Sequence, residues 1–167
     1  MKATSITASA FLSGLLLFSG CGKSEADKKA EAELNDKIMK AHEQQMSQST
    51  QVDQLLAKID AVIAEHDSLA KLFPKQMADN STADLLTAKD KLSAAKDGME
   101  SWMSAHEPYN PGIKHDLAMQ QLTNDLDVVN QVGEQLAGAI SAATTALDSH
   151  AKFVADLTAA THKGKRK

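Results

Sequence analysis

Apolar and small residues recur along the chain in alternating steps of four and three. The first series is Leu34, Ile38, Ala41, Gln45, Gln48, Val52, Leu55, Ile59, Val62, His66 and Leu69. Such steps keep the positions on one face of a helix, which predicts a helix from about Glu25 to Leu72. The face turns polar at Gln45 and Gln48, inside a polar run over residues 44–51. No Gly or Pro interrupts that run, so the expectation is one continuous helix; a break near residues 46–51 would give four helices instead of three. Phe73-Pro74 ends the helix, because a residue before proline is pushed out of the helical region. Asn80-Ser81-Thr82-Ala83-Asp84 offers the next N-cap with an acid in the first turn. The second series is Leu85, Ala88, Leu92, Ala95, Met99, Trp102 and His106. It predicts a helix from about Ser81 to His106. Glu107-Pro108-Tyr109-Asn110-Pro111-Gly112 reads as a loop. The third series runs from Met119 through Leu122, Leu126, Val129, Gly133, Leu136, Ile140, Ala143, Leu147, His150 and Val154 to Leu157. It predicts a helix from about Ile113 to Thr161.

Short connections make sequential helices antiparallel neighbours. The expected fold is therefore all-α: an elongated antiparallel bundle of three long helices, the outer two ~70 Å and the middle one ~40 Å long at 1.5 Å per residue. The outer helices are expected to overhang the middle one at opposite ends, leaving Ala-rich 137–160 to fold back, pair with a copy or dock on a partner. Leu55, Ile59, Leu92, Leu126, Val129 and Leu136 are the expected core. Gly133 and Gly138 weaken the third helix by ~1 kcal/mol each relative to Ala, unless they admit a close neighbour. Acid-before-base pairs at four-residue spacing mark solvated faces: Glu33–Lys37, Asp36–Lys40, Asp67–Lys71 and Asp148–Lys152.

Composition agrees with helix. The 167 residues hold 8 Gly, 3 Pro and only 4 % aromatics, with much Ala, Leu, Lys, Gln and Glu. A single cysteine excludes an internal disulfide framework and a Cys-based zinc site. A net charge of −4 argues against nucleic acid as a partner.

The N-terminus carries the clearest chemistry. Lys2 and an apolar run around Ile6 to Phe18 form an export signal over residues 1–20, too short to span a bilayer at the ~20 residues required. Its boundary, Leu17-Phe18-Ser19-Gly20-Cys21, resembles a bacterial lipobox, with Phe18 where Leu is commoner. That resemblance implies cleavage after Gly20 and lipidation of the Cys21 sulfur and amine. Gly22 rather than Asp after the cysteine implies the outer membrane, with periplasmic and surface-facing orientations both open. Residues 21–26 are expected to be a lipidated tether, 27–162 the bundle and 163–167 a basic tail in which Gly164 breaks the helix.

No Gly-rich phosphate loop, Gly-x-Ser-x-Gly elbow, His-Glu-x-x-His pair or EF-hand loop occurs, so no enzyme and no cofactor are expected. The unusual feature is methionine beside histidine: Met39, His42 and Met46 in one stripe, Met99, Met103 and His106 in another. Soft thioether and imidazole ligands suit Cu(I) or axial haem ligation, which makes His42, Met46, Met103 and His106 the candidate metal ligands. Methionine as a filler of irregular core gaps is the favoured alternative. Trp102 is expected to plug the bundle end near Tyr109. His66, His115, His150 and His162 read as scattered.

Residues 38–46, Ile-Met-Lys-Ala-His-Glu-Gln-Gln-Met, with Met99-Glu100-Ser101-Trp102-Met103 and the lipobox, resemble small helical lipoproteins of Bacteroidetes-type bacteria, often labelled "viral A-type inclusion protein". Gln44 and Gln45 depart from the residues usual in that family. The resemblance, over about Lys37 to Leu147, implies a lipid-anchored helical domain with no known activity. The function expected is a lipid-anchored envelope module for binding or structure. Its partners are the membrane through Cys21, and an envelope protein or a second copy.

Overall fold

Ser24 sets where the first helix begins. Its hydroxyl accepts from the Asp27 N–H at 3.1 Å, and the Asp27 carboxylate accepts from the Ser24 N–H at 3.0 Å. This reciprocal box satisfies two backbone donors that a helix start would orphan. In the computed structural model, which describes residues 22–78 and 82–164, helix α1 then spans Glu25–Leu72. The tether expected over residues 21–26 is therefore shorter, because the capping box draws Glu25 and Ala26 into the helix. Helix α1 runs unbroken through the polar stretch, where the hydroxyls of Ser47 and Ser49 donate to the carbonyls of Gln44 and Met46. It stops at Phe73, whose N–H still donates to the Leu69 carbonyl at 2.8 Å.

Pro74 opens a single turn, α2 (Pro74–Met77), which buries Met77. The hydrophobic spacing gives no sign of α2, because one turn is too short for a periodic pattern. Its proline sits at the first helical positions, where a missing N–H costs nothing. Helix α3 is Ala83–Ala105, and its N-cap residue Thr82 makes no side-chain capping bond. Residues 79–81, including the expected caps Asn80 and Ser81, lie outside the described residues. Helix α4 is His115–Gly164. It reaches Gly164, beyond the expected end at Thr161, and glycine is readily accommodated at a helix end. Residues 165–167 of the basic tail lie outside the described residues.

The helix directions follow from the contacts. Glu31 meets His115 and Gln45 meets Val129, each pair 84 residues apart. His66 meets His150 at the same offset. Helices α1 and α4 are thus parallel and in register. Helix α3 runs antiparallel to both, with Lys96 on Asp53 at 2.8 Å, Lys89 on Asp60 at 2.5 Å and Trp102 on Asp125 at 2.6 Å. The expected up-down-up bundle is present, with the expected overhang. Lys89 lies opposite Asp60 and Trp102 opposite Asp125, so α1 outruns α3 chiefly at the loop end, where residues 106–114 return along it, and α4 chiefly at the other end. Ala139, Ala143, Ala146, Leu147 and His150 are nonetheless buried, while most of residues 151–160 are exposed.

Burial along α1 is deepest at Glu31, Ile38, Gln45, Val52, Ile59 and His66, one residue every seven. The intervening series positions, from Leu34 to Leu69, are half-buried. Leu55 and Leu126, expected in the core, are also half-buried and flank its clusters. Helix α4 faces both neighbours, so it buries a second row beyond the expected one: Ala118, Val132, Ala139 and Ala146. One core cluster centres on Ile59, Leu92 and Leu136, the other on Ile38, Trp102 and Val129. Glu33 pairs with Lys29 at 3.8 Å and Lys28 with Glu25 at 2.7 Å. None of the four expected acid-before-base pairs forms among the described residues, since exposed pairs worth ~0–1 kcal/mol do not dictate rotamers.

Candidate functional site

Three polar clusters interrupt the apolar interior, and a groove and a methionine-lined cleft adjoin the middle one. At the loop end sits Glu31, fully buried. It accepts from the Lys23 ammonium at 2.6 Å and the Tyr109 hydroxyl at 2.5 Å, and His115 Nδ1 lies 2.8 Å from its other oxygen. Burial alone would push this carboxyl up. The hydrogen bonds from Lys23, Tyr109 and His115 outweigh it and hold the group at about 2. The same bond to Glu31 raises the Tyr109 hydroxyl above its ordinary value. His115 Nε2 also lies 3.6 Å from Asp27, whose carboxyl is lowered chiefly by its bonds from Ser24. One carboxylate thus ties together the approach to α1, the 106–114 segment and the first turn of α4. Glu31 was absent from the sequence reading, although it stands seven residues before Ile38. A charged residue at a core-spaced position was the available signal.

The second cluster surrounds Trp102. Its indole N–H donates to Asp125 at 2.6 Å, and His106 Nδ1 lies 2.5 Å from the other Asp125 oxygen. The indole stacks on His106 with ring centroids 4.9 Å apart, and His42 rests on it at 5.1 Å. His42 Nε2 is buried with no hydrogen-bond partner. Beside this cluster opens a groove of about 590 Å³ lined by Trp102, His106, Tyr109, Leu122, Asp125 and Val128, among others. Glu107 and Asp125 contribute acid to its lining, and no Lys or Arg does.

The candidate metal ligands divide between two places. His42 and His106 pack on Trp102, whereas Met46 and Met103 line a separate cleft of about 180 Å³ together with Met99. Met99 is buried, while Met46 and Met103 are 41 % and 39 % exposed. Gln45 also lines that cleft; its Nε2 donates to the Val129 carbonyl at 2.6 Å, and its Oε1 is buried without a partner. Among the described residues no group of three or more His, Cys, Asp or Glu side chains is placed to hold a metal.

The third cluster, at the opposite end, is His66 against His150, with ring centroids 5.9 Å apart and both residues buried. Burial lowers the His150 imidazole, the neighbouring His66 lowers it further, and Glu65 acts the other way. His66 Nδ1 is 3.8 Å from Asp67. His66, His115 and His150 are therefore not scattered, as the linear spacing suggested; the parallel register of α1 and α4 gives each a specific partner. Cys21, the lipidation candidate, lies outside the described residues.

Among the described residues no helix is long and apolar enough to cross a membrane. Comparison of the chain with protein-family models, curated proteins and solved structures gives no match.

Proposed function

We propose that the protein is a lipoprotein of the bacterial envelope, held in the outer membrane by lipid on Cys21, whose bundle serves as a binding or structural module without catalysis. One observation carries this reading: the only cysteine of the chain closes the lipobox-like Leu17–Cys21 run, directly before a folded, capped helix. The groove beside Trp102 is the natural binding surface. With acid and aromatic groups in its walls and no Lys or Arg, it suits a neutral or cationic, partly apolar segment of an envelope partner. Fatty-acid labelling of wild type and Cys21→Ser tests the anchor. Loss of label and of membrane retention in the variant is expected; equal retention of both would remove the anchor.

A second reading has its own observation. Met46, Met99 and Met103 share one cleft, and thioethers are soft ligands for Cu(I). Titration with Cu(I) under reducing conditions tests it. Stoichiometric binding by wild type that disappears in Met46→Leu/Met103→Leu, with the fold intact, would favour metal over packing. Absence of binding leaves methionine as filler.

A further inference from the structure

Lys23 lies two residues beyond Cys21, and its ammonium is fixed on a fully buried carboxylate. Lys23 itself keeps only 10 % of its side chain exposed. Ser24 then caps α1 with no intervening linker. Two residues of fully extended chain reach ~7 Å at most. A lipid on Cys21 therefore cannot sit farther than about that from the bundle end built by Glu31, Tyr109 and His115. That end also exposes Leu117, at 53 %, beside the Pro108–Pro111 turn. Its charges are mixed and largely self-paired, Lys28 with Glu25 and Lys29 with Glu33. Nothing there attracts an anionic surface strongly, so contact with lipid must come from the anchor.

Resting on the lipoprotein reading above, we infer that the loop end of the bundle is a membrane-contact surface, seated on the bilayer that holds the acyl chains of Cys21. The Lys23–Glu31 lock replaces the flexible tether that would let the domain wander. Helix α1 has 48 residues, ~70 Å at 1.5 Å per residue. The α1–α2 corner is then the part of the bundle farthest from the anchor, and the groove beside Trp102 opens in the half nearer to it.

The test uses the lipoprotein made in cells from the full chain, purified and placed in phosphatidylethanolamine/phosphatidylglycerol vesicles containing acceptor-labelled lipid. A donor dye is attached to a cysteine at Lys114→Cys or at Lys71→Cys, both exposed positions at opposite ends. Mass spectrometry of the Cys21 peptide first reports whether lipid is present. With lipid present, we expect strong energy transfer from position 114 and several-fold weaker transfer from position 71. Inserting twenty Gly/Ser residues after Gly22 gives a coil of ~25 Å reach and should erase most of that difference without touching the bundle. Equal transfer from the two positions in the lipidated wild type would overturn the loop-end contact while leaving the anchor intact. A difference that survives the insertion would overturn the role of the short connection. An unmodified Cys21 peptide would remove the anchor, and this inference with it.

Discussion

At the scale of single residues, Gly133 and Gly138 of α4 behave oppositely. A Cβ on Gly138 would meet nothing within 4 Å, whereas a Cβ on Gly133 would lie 2.5 Å from the Gln45 amide nitrogen. Gly138→Ala should therefore recover helix propensity and stabilise by ~0.5–1 kcal/mol. Gly133→Ala gains the same ~1 kcal/mol of propensity. It must, however, displace a buried amide and forfeit its bond to Val129, at ~1–3 kcal/mol for the groups left unsatisfied. Net destabilisation is expected in wild type, and stabilisation once Gln45→Ala has emptied the space. A denaturant double-mutant cycle reads this as a coupling of at least ~1 kcal/mol. Additive effects would show that Gln45 simply rotates away. The polar seam position Gln45 and the glycine at Gly133 were both legible in the sequence. Their pairing was not, because it depends on α1 and α4 being parallel at an offset of 84 residues.

At the scale of elements, the hydrophobic spacing located all three long helices and the continuity of α1. It could not mark the second buried row of α4. Ala139 and Ala146 become core only because α3 lies against them, and alanine reads alike on a buried or exposed face. The same blindness hid the His66–His150 contact, whose members sit on different helices. That contact has a pH signature. The folded protein lowers His150 below its ordinary 6.5, so the unfolded chain binds the proton more readily. Stability is fully present above the unfolded value and is lost as pH falls below about 6.5 toward the lower folded value. His66, Glu65 and Asp67 face the same site: His66 lowers the His150 imidazole through like charge, and Glu65 acts the other way. The thermal midpoint should therefore fall between pH 7.5 and pH 5 in wild type and fall less in His150→Gln. Parallel profiles would assign the acid sensitivity elsewhere. A change in the core gives an independent check: Leu92 is fully buried, and Leu92→Ala should cost ~2–5 kcal/mol.

At the scale of the whole molecule, the two ends of the bundle are built to respond to different acidity. The far end holds the imidazole pair, and the loop end holds Glu31 at about 2. A carboxyl depressed from 4.5 contributes stability that is complete above 4.5 and lost as pH falls through about 2. Protonating Glu31 weakens its bonds from Lys23, Tyr109 and His115 together, and with them the clasp between α1, the 106–114 segment and α4. Trp102 sits in the core cluster nearest that clasp, and as the only tryptophan it reports on this end alone. Its emission should shift to the red between about 4.5 and 2, below the range in which the far end already loses stability. Far-ultraviolet circular dichroism should lag behind that shift, because most helix lies outside the clasp. Asp125, His42 and His106 also face the indole, so the comparison is between wild type and Glu31→Gln, which share all three. Glu31→Gln keeps the shape but cannot titrate. It should be less stable at neutral pH and should show a smaller emission change below pH 4.5 than wild type. Identical acid profiles in the two proteins would mean that the loop end is held by its apolar contacts, and that the buried carboxylate does not control it.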